Sequence, residues 1–220
     1  MESILPLHEQ YRELILGKRL LEFQQLLSKS QEPPSDYIVH IGYRTYVKEA
    51  RLRRVQLFYL VKLYEITRIA PENKVIQEVC DITLENDDLA IFEVTTRRLE
   101  VKRALFTEMK HFFQGKYEKY MDAGRFADLS KLMKISGTAP TLESVQHWYR
   151  EYLVAGKLIS FVGLKKRTGI EADPRMVDEV LLLYRENQER TADGDEVKLW
   201  QDRIDRLKRL AETRVENSAR

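Results

Sequence analysis

Two segments of the chain are similar in sequence: YEKYMDAGRFADLSKLMKIS, from Tyr117 to Ser136, and YREYLVAGKLISFVGLKKRT, from Tyr149 to Thr168. Their glycines recur at a spacing of 32 residues, as Gly124 with Gly156 and Gly137 with Gly169. A fixed period of this length is typical of proteins in which one small unit is stacked many times. This internal repeat therefore predicts an all-α fold, an α-α superhelix or solenoid of helical hairpins.

The prolines indicate a similar period. Pro34 and Pro71 are 37 residues apart, Pro71 and Pro140 are 69 apart, and Pro140 and Pro174 are 34 apart. Because proline lacks the amide hydrogen and disfavours helix in the residue before it, each proline indicates a boundary between units. A unit of about 35 residues holds two helices and two turns, and it accounts for all three intervals if one boundary near Arg103 lacks a proline.

Turn residues predict where the chain reverses inside a unit, since Gly and Asn tolerate the left-handed conformation that ends a helix. Asp88 and Thr141 are the predicted N-caps of the helices that follow them. The segment from Asp87 to Gln114 is compatible with one long helix or with two. The predicted turns lie at Gly17, Asn86–Asp88, Asp122–Gly124 and Val154–Gly156.

The pattern divides the chain into a helical array over residues 1–194, with about five to six hairpins, and a last helix over residues 195–220. In the last helix the apolar residues recur at alternating spacings of three and four. A capping helix or a coiled-coil arm fits this pattern, and the short seam of about two heptads favours the cap. The apolar residues are Val197, Trp200, Ile204, Leu207 and Ala211.

Charge and cysteine content restrict the classes of function. The chain has 37 basic and 35 acidic residues, so binding to nucleic acid needs a local basic patch. Cys80 is the only cysteine, which excludes an internal disulfide, and its apolar neighbours predict a buried thiol. No apolar run is long enough to span a bilayer and no targeting segment is visible. We therefore expect an intracellular protein, in the cytoplasm or an organelle matrix, without membrane contact.

No residue pattern indicates catalysis, a metal site or a cofactor. The four histidines are scattered, and no second His or Cys lies at a spacing suited to metal coordination. Glycine-rich phosphate loops and nucleophile elbows are also missing from the sequence. Asp87 and Asp88 are adjacent carboxylates whose expected role is in a turn and a cap. The sequence thus predicts a binding protein and no enzyme.

The turns of the two similar segments, residues 117–136 and 149–168, resemble those of pentatricopeptide repeats. Ala123-Gly124-Arg125 and Ala155-Gly156-Lys157 match the middle turn of that family's helix pair, and Gly137-Thr138-Ala139-Pro140 matches its end turn. A related end turn is found at Gly169–Pro174. The likeness lies within residues 104–190, and tetratricopeptide repeats fit less well because their small-residue positions fall on bulky or charged residues here.

The resemblance implies binding of single-stranded RNA with one base per unit. It places His147 and Leu181 at the base-reading position of the first helix, and Leu142 and Met176 at the unit ends. Of these side chains only His147 can hydrogen-bond a base, so the resemblance implies RNA binding of limited sequence specificity. The residues expected to line the RNA- or partner-binding groove are Arg44, Arg54, Lys119, His147 and Arg150.

A protein partner is the alternative ligand. In that interpretation the array is an adaptor or scaffold whose groove receives a helix or an extended peptide. The chain has clusters of basic residues within residues 18–19, 51–54, 97–103 and 165–167. In this interpretation they lie on solvated faces and are balanced by neighbouring acids such as Glu49, Glu93 and Glu100. The recurring tyrosines favour the seam between units over base stacking, since Tyr117 with Tyr149 and Tyr120 with Tyr152 share one register.

Residues 129–161 also permit a helix-turn-helix interpretation. Thr141–Ala155 is then the recognition helix and Lys157–Phe161 a wing, with duplex DNA contacted by Gln146, His147 and Arg150. Because the glycine turn occurs twice, whereas a winged helix needs it once, the array is favoured.

Overall fold

The structure is a computed structural model, and it describes residues 5–30, 32–53 and 55–218, with side chains up to Leu210. Within these ranges every regular element is an α-helix and no strand occurs. The predicted all-α fold is confirmed. Pro6 precedes the first helix, Pro174 is the first residue of its helix, and the other prolines lie between helices.

Thirteen helices lie in the described part of the chain. They are α1 (Leu7–Leu16), α2 (Leu20–Ser30), α3 (Asp36–Ala50), α4 (Gln56–Thr67), α5 (Asn73–Glu85), α6 (Leu89–Arg98), α7 (Arg103–Glu108), α8 (Lys110–Asp122), α9 (Phe126–Ser136), α10 (Leu142–Val154), α11 (Leu158–Thr168), α12 (Pro174–Arg190) and α13 (Gly194–Ser218).

The helices form two compact units, residues 1–109 with α1 to α7 and residues 110–220 with α8 to α13. Consecutive helices pack as hairpins, namely α1/α2, α3/α4 and α5/α6 in the first unit, and α8/α9, α10/α11 and α12/α13 in the second. In the first unit the first helices of the hairpins pack in one row and the second helices in another. In the second unit α8, α10 and α12 pack in a row, and α9 packs against α11. Each unit is therefore a stack of hairpins.

The turn inside the hairpin has the same hydrogen bonds in four of the hairpins. One amide donates to the carbonyl three residues earlier, and the next amide donates to the carbonyl five residues earlier. This arrangement requires a positive φ at the first of the two residues. Glycine adopts that conformation without steric cost, but lysine and aspartate also adopt it here. The residues are Lys18 (φ 59°), Asp87 (φ 54°), Gly124 (φ 66°) and Gly156 (φ 70°).

A buried tyrosine near the middle of the first helix holds the end of the hairpin. The hydroxyl of Tyr149 donates to the carbonyl of Ile170 (2.6 Å), and that of Tyr11 donates to the carbonyl of Glu32 (2.7 Å). The acceptor lies 21 residues after the tyrosine in both cases. Burying a tyrosine with its hydroxyl paired keeps its apolar area in the core without leaving a polar group unsatisfied.

A second set of tyrosines joins one hairpin to the preceding one. The hydroxyls of Tyr46, Tyr152 and Tyr184 each donate to a main-chain carbonyl 31 residues earlier. The acceptors belong to Ile15, Met121 and Leu153. The predicted position of Tyr117, Tyr120, Tyr149 and Tyr152 in the core is confirmed, since all four side chains are buried.

Helix α13 packs against α12 through Ile204 and Leu207, which are buried. The rings of Tyr184 and Trp200 lie 5.5 Å apart, and the guanidinium of Arg203 lies 4.6 Å from the centre of the Trp200 ring. The guanidinium of Arg203 also lies over the turn between α10 and α11. A Cβ atom built on Gly156 in this turn would be 3.0 Å from the guanidinium carbon of Arg203.

Two local predictions are confirmed and one is wrong. Asp88 and Thr141 cap their helices, accepting hydrogen bonds from the amides of Ile91 and Ser144. The segment from Asp87 to Gln114 is neither one helix nor two, since it contains α6, the short α7 and the start of α8. Left-handed Glu100 and the break at Met109 separate these helices without any glycine or proline.

The wing of the helix-turn-helix interpretation is also wrong. Lys157 caps α11, and Leu158–Phe161 form its first turn, so no extended segment follows α10. The side chain of Gln146 bonds to the main chain of Glu171 (2.6 Å) and Asp173 (2.9 Å). Gln114, which is 32 residues earlier, bonds to Ala139 and Thr141 in the same way.

Candidate functional site

Two of the predicted groove residues are engaged with acids of the next hairpin. Arg44 in α3 donates two hydrogen bonds to Glu72, the N-cap of α5, over 2.6 and 3.1 Å. These bonds lower the pKa of Glu72 and raise the pKa of Arg44. Arg150 in α10 lies 3.3 Å from the carboxylate of Glu179 in α12. Both pairs are partly exposed to solvent, where such pairs are weak, but each neutralises a cation that RNA would need.

The other predicted groove residues are placed as follows. Lys119 is exposed on α8 and forms no ion pair with the described residues. His147 is exposed on α10, with its ring 5.5 Å from that of Trp148. His147 and Arg150 lie on one face of α10. Arg44 belongs to the first unit, and Arg54 lies outside the described residues.

The surface of α3 around Arg44 carries balanced charge. Besides the pair of Arg44 with Glu72, Lys18 lies 2.5 Å from Glu49, and the guanidinium of Arg51 lies 4.0 Å from Glu78. Lys48 is the cation on this surface without an ion pair among the described residues. The other residues of the shallow depression are Ile41, Thr45 and Leu52. A surface in which acids alternate with bases does not form a continuous positive stripe.

Cations elsewhere show the same tendency. Arg98 in α6 reaches Glu65 in α4 over 2.5 Å, and Lys165 in α11 reaches Glu171 before α12 over 2.7 Å. Each of these pairs joins one hairpin to its neighbour in the stack. Part of the basic content is therefore paired with acids of a neighbouring hairpin.

Several exposed apolar side chains recur at one position of the second helices, in each unit by itself, and sequence reasoning missed them. They lie at the second residue of the second helix of a hairpin, or at the third residue in α4. Leu21 is 70% exposed, Phe58 is 57% exposed and Ile159 is 90% exposed, and exposed alanines lie at the same place in α6 and α9. The signal in the sequence is a pair of adjacent apolar residues, such as Leu20-Leu21, of which only one can face the core.

In the first unit Phe58 and Ala90 belong to a groove between α4 and α6. Its volume is about 410 Å³ and its walls are mainly aliphatic and aromatic. Val55, Phe58 and Val94 are the most exposed of its large side chains. The lining residues are Val55, Leu57, Phe58 and Val61 of the α4 side and Ala90, Ile91, Val94, Thr95 and Arg98 of α6. We call this surface the α4–α6 groove.

The described residues contain no group of three His, Cys, Asp or Glu side chains placed to hold a metal ion. Cys80 is buried as predicted, and its burial raises the pKa of the thiol to about 12. Among the helices in the described ranges, none combines the length and the apolar character needed to cross a membrane.

No protein-family model, curated protein or solved structure matches the chain. The geometry of these surfaces is therefore the basis for assigning a function.

Proposed function

We propose that the chain is a non-catalytic, helical-repeat binding module that takes a protein partner, and that the α4–α6 groove is a contact surface for it. The observation that carries the proposal is the contrast between two kinds of surface. Arg44 and Arg150 are paired with acids, whereas Phe58 and Val94 project apolar groups into solvent.

The paired cations argue against RNA as the ligand. Proteins that bind single strands without a base code use a groove of several cations that follows the phosphates, with aromatic rings on which the bases stack. Here the tyrosines that recur in the first helices are buried, and the hydroxyls of Tyr117, Tyr149 and Tyr152 bond to main-chain carbonyls. Binding of single-stranded RNA stays a prediction, based on the resemblance of the turns to pentatricopeptide repeats.

The apolar groove argues for a protein. Exposing large apolar side chains to water is unfavourable, and a contiguous patch of them marks an interaction surface in most soluble proteins. The α4–α6 groove lies between two packed helices, and such a groove accepts the apolar face of a helix through side chains at i, i+3 and i+4. Phe58 and Val94 are on its opposite walls and would contact such a helix from both sides.

The test compares partner capture by matched variants of the full chain. The double variant Phe58→Ser with Val94→Ser removes the apolar walls, while Leu182→Ser changes a side chain of equal exposure, 57%, on α12. Partners captured from an extract of the source cell and quantified by mass spectrometry should be lost with the double variant and kept with the control.

A parallel measurement uses mixed-sequence single-stranded RNA in a filter-binding assay across a salt series. Because phosphate contacts release counterions, true RNA binding weakens steeply as salt rises. Salt-dependent RNA binding by the wild type, together with protein capture that the double variant leaves unchanged, would overturn the proposal in favour of RNA.

A further inference from the structure

A second groove lies in the other unit, between α11 and α13. Its volume is about 410 Å³. The lining residues are Leu158, Ile159 and Val162 of α11 and Arg206, Arg209 and Leu210 of α13. We call it the α11–α13 groove. It shares no residue with the α4–α6 groove, so an inference about it does not depend on the function proposed above.

The floor of this groove is aliphatic and open to solvent. Ile159 is 90% exposed and Val162 is 40% exposed. On α11 the positions 159, 162 and 166 follow the spacing of one helical face, so Lys166 continues the apolar stripe of Ile159 and Val162. A ligand lying along this stripe meets apolar groups first and a cation at the end.

The elements that form the groove concentrate positive charge. Residues 157–168 contain four basic residues and no acid, and residues 199–210 contain four basic residues and two acids. The whole chain has a net charge of only +2, so the remainder of the chain is net acidic. Arg206 is paired with Asp202 at 2.9 Å, while Lys166 and Arg167 form no ion pair with the described residues.

We propose that the α11–α13 groove binds an acidic amphipathic helix of a partner protein. Aliphatic or aromatic side chains at i, i+3 and i+4 of that helix would fill the groove over Ile159 and Val162. Its Asp and Glu residues would lie beside Lys166. Charge complementarity at the rim selects the acidic partner and speeds encounter, and the apolar floor supplies affinity.

The same features disfavour a nucleic acid as the ligand. A nucleic acid offers phosphates to the rim but no aliphatic anchor for Ile159, and it needs aromatic platforms that do not line this groove. An anionic bilayer also offers apolar and negatively charged groups, and the competition with vesicles described below separates it from a helix. The acidic helix satisfies the apolar floor and the basic rim together.

The experiment uses the full chain and two displayed libraries of helical peptides with the same leucine stripe. One library has Asp and Glu on the flanks of the stripe, and the other has Lys and Arg. We expect enrichment of the acidic library only. Individual acidic clones, measured by fluorescence polarisation, should lose about tenfold or more in affinity with Ile159→Glu and with Lys166→Glu, a factor of ten being about 1.4 kcal/mol.

Leu182→Glu is the matched control, because Leu182 is an exposed leucine outside this groove, and it should leave the affinity unchanged. Circular dichroism checks that each variant is folded. The proposal would be overturned if the basic library were enriched as strongly as the acidic one, or if the acidic library were not enriched. It would also be overturned if the Ile159→Glu variant bound the acidic clones as tightly as the wild type does. Single-stranded RNA and anionic vesicles are tested as competitors of the labelled peptide. If either one displaces it at a lower concentration than unlabelled peptide does, the groove is assigned to that ligand instead.

Discussion

The hydroxyl of Tyr117 in α8 lies 2.9 Å from the hydroxyl of Ser136, the last residue of α9. It also lies 3.0 Å from the carbonyl oxygen of Thr138. These two contacts of the Tyr117 hydroxyl lie at the end of the hairpin opposite its turn. The two helices are therefore joined by the turn at one end and by a buried polar contact at the other. Tyr149 reaches Thr168 and Ile170 in the next hairpin at the same offsets.

We predict that Tyr117→Phe destabilises the chain by about 1–3 kcal/mol. The ring stays in the core, so apolar burial is unchanged, but Ser136 and the carbonyl of Thr138 lose a partner in a buried site. Urea unfolding followed by far-ultraviolet circular dichroism measures the change. Tyr37→Phe is the control, since Tyr37 is 72% exposed, and it should leave the midpoint where it is. Equal midpoints for the two variants would show that the Tyr117 bond contributes nothing.

A second prediction concerns the packing of α9 against α11. A Cβ built on Gly163 lies 2.8 Å from Cδ2 of Phe126, closer than carbon atoms approach without repulsion. Gly163→Ala should therefore destabilise the chain by about 1–3 kcal/mol through overpacking.

Gly115 in α8 provides the opposite case, because a Cβ built there meets no atom within 4 Å. Gly115→Ala should stabilise the chain by about 0.5–1 kcal/mol, since alanine loses less conformational entropy in a helix. The two alanine variants shift the urea midpoint in opposite directions if the geometry is right. A shift of the same sign for both would contradict the close contact of Gly163 with Phe126.

Much of the helical framework can be predicted from local signals. Glycine at positions 124 and 156, the cap at Asp88 and the prolines before α3 and α10 each fix a backbone conformation through a property of one residue. The limits of α7 could not be predicted in this way. Glu100 follows α6 in a left-handed conformation that its side chain does not favour. The amides of Glu100 and Val101 bond to carbonyls three and five residues earlier, as in the middle turns, but no glycine or asparagine indicates this turn in the sequence.

The candidate surfaces were harder to predict, because their properties depend on distant pairs. The charge of Arg44 is balanced by Glu72, which is 28 residues away, and no local pattern indicates that contact. Exposed Ile159 follows Leu158 directly, and the sequence alone does not say which of the two adjacent apolar residues faces the core. Only the packing of α11 decides which of the two side chains is buried more deeply.

A third prediction follows from the left-handed residues that end second helices. Glu100 and Gly169 end α6 and α11 with φ of 53° and 68°. A side chain in this conformation costs about 1–2 kcal/mol, and glycine costs about 0.5–1 kcal/mol in chain entropy. Glu100→Gly should thus stabilise the chain by about 0.5–1 kcal/mol, because the contacts that it removes, an ion pair with Arg68 at 3.7 Å and a hydrogen bond with Tyr64, are made by a solvent-exposed carboxylate.

Gly169→Ala is the converse variant and should destabilise the chain by about 0.5–1 kcal/mol, since the left-handed cost is partly offset by the lower chain entropy of alanine. Thermal unfolding of the two variants beside the wild type measures both changes under one condition. A lower melting temperature for Glu100→Gly would mean that the exposed pair with Arg68 matters more than the backbone strain.

The buried tyrosines predict loss of stability at alkaline pH. Burial raises the pKa of Tyr152 to about 12, and it also raises the pKa of Tyr117, Tyr149 and Tyr184 above the ordinary value of about 10. Above pH 10 the unfolded chain loses protons that the folded chain keeps. The unfolded state then binds fewer protons, so the free energy of unfolding falls as pH rises and continues to fall until the folded tyrosines ionise.

The urea midpoint should accordingly be constant between about pH 7 and 9 and fall steeply from about pH 10 to 12. Tyr152→Phe should reduce the slope of that fall, because it removes one of the titrating groups, whereas Tyr37→Phe should not. Absorbance of tyrosinate in the near ultraviolet provides an independent measurement, since ionisation of the buried tyrosines should coincide with unfolding. A midpoint that stays constant to pH 12, or tyrosines that all ionise near pH 10 in the folded chain, would show that the hydroxyls are not held in the core.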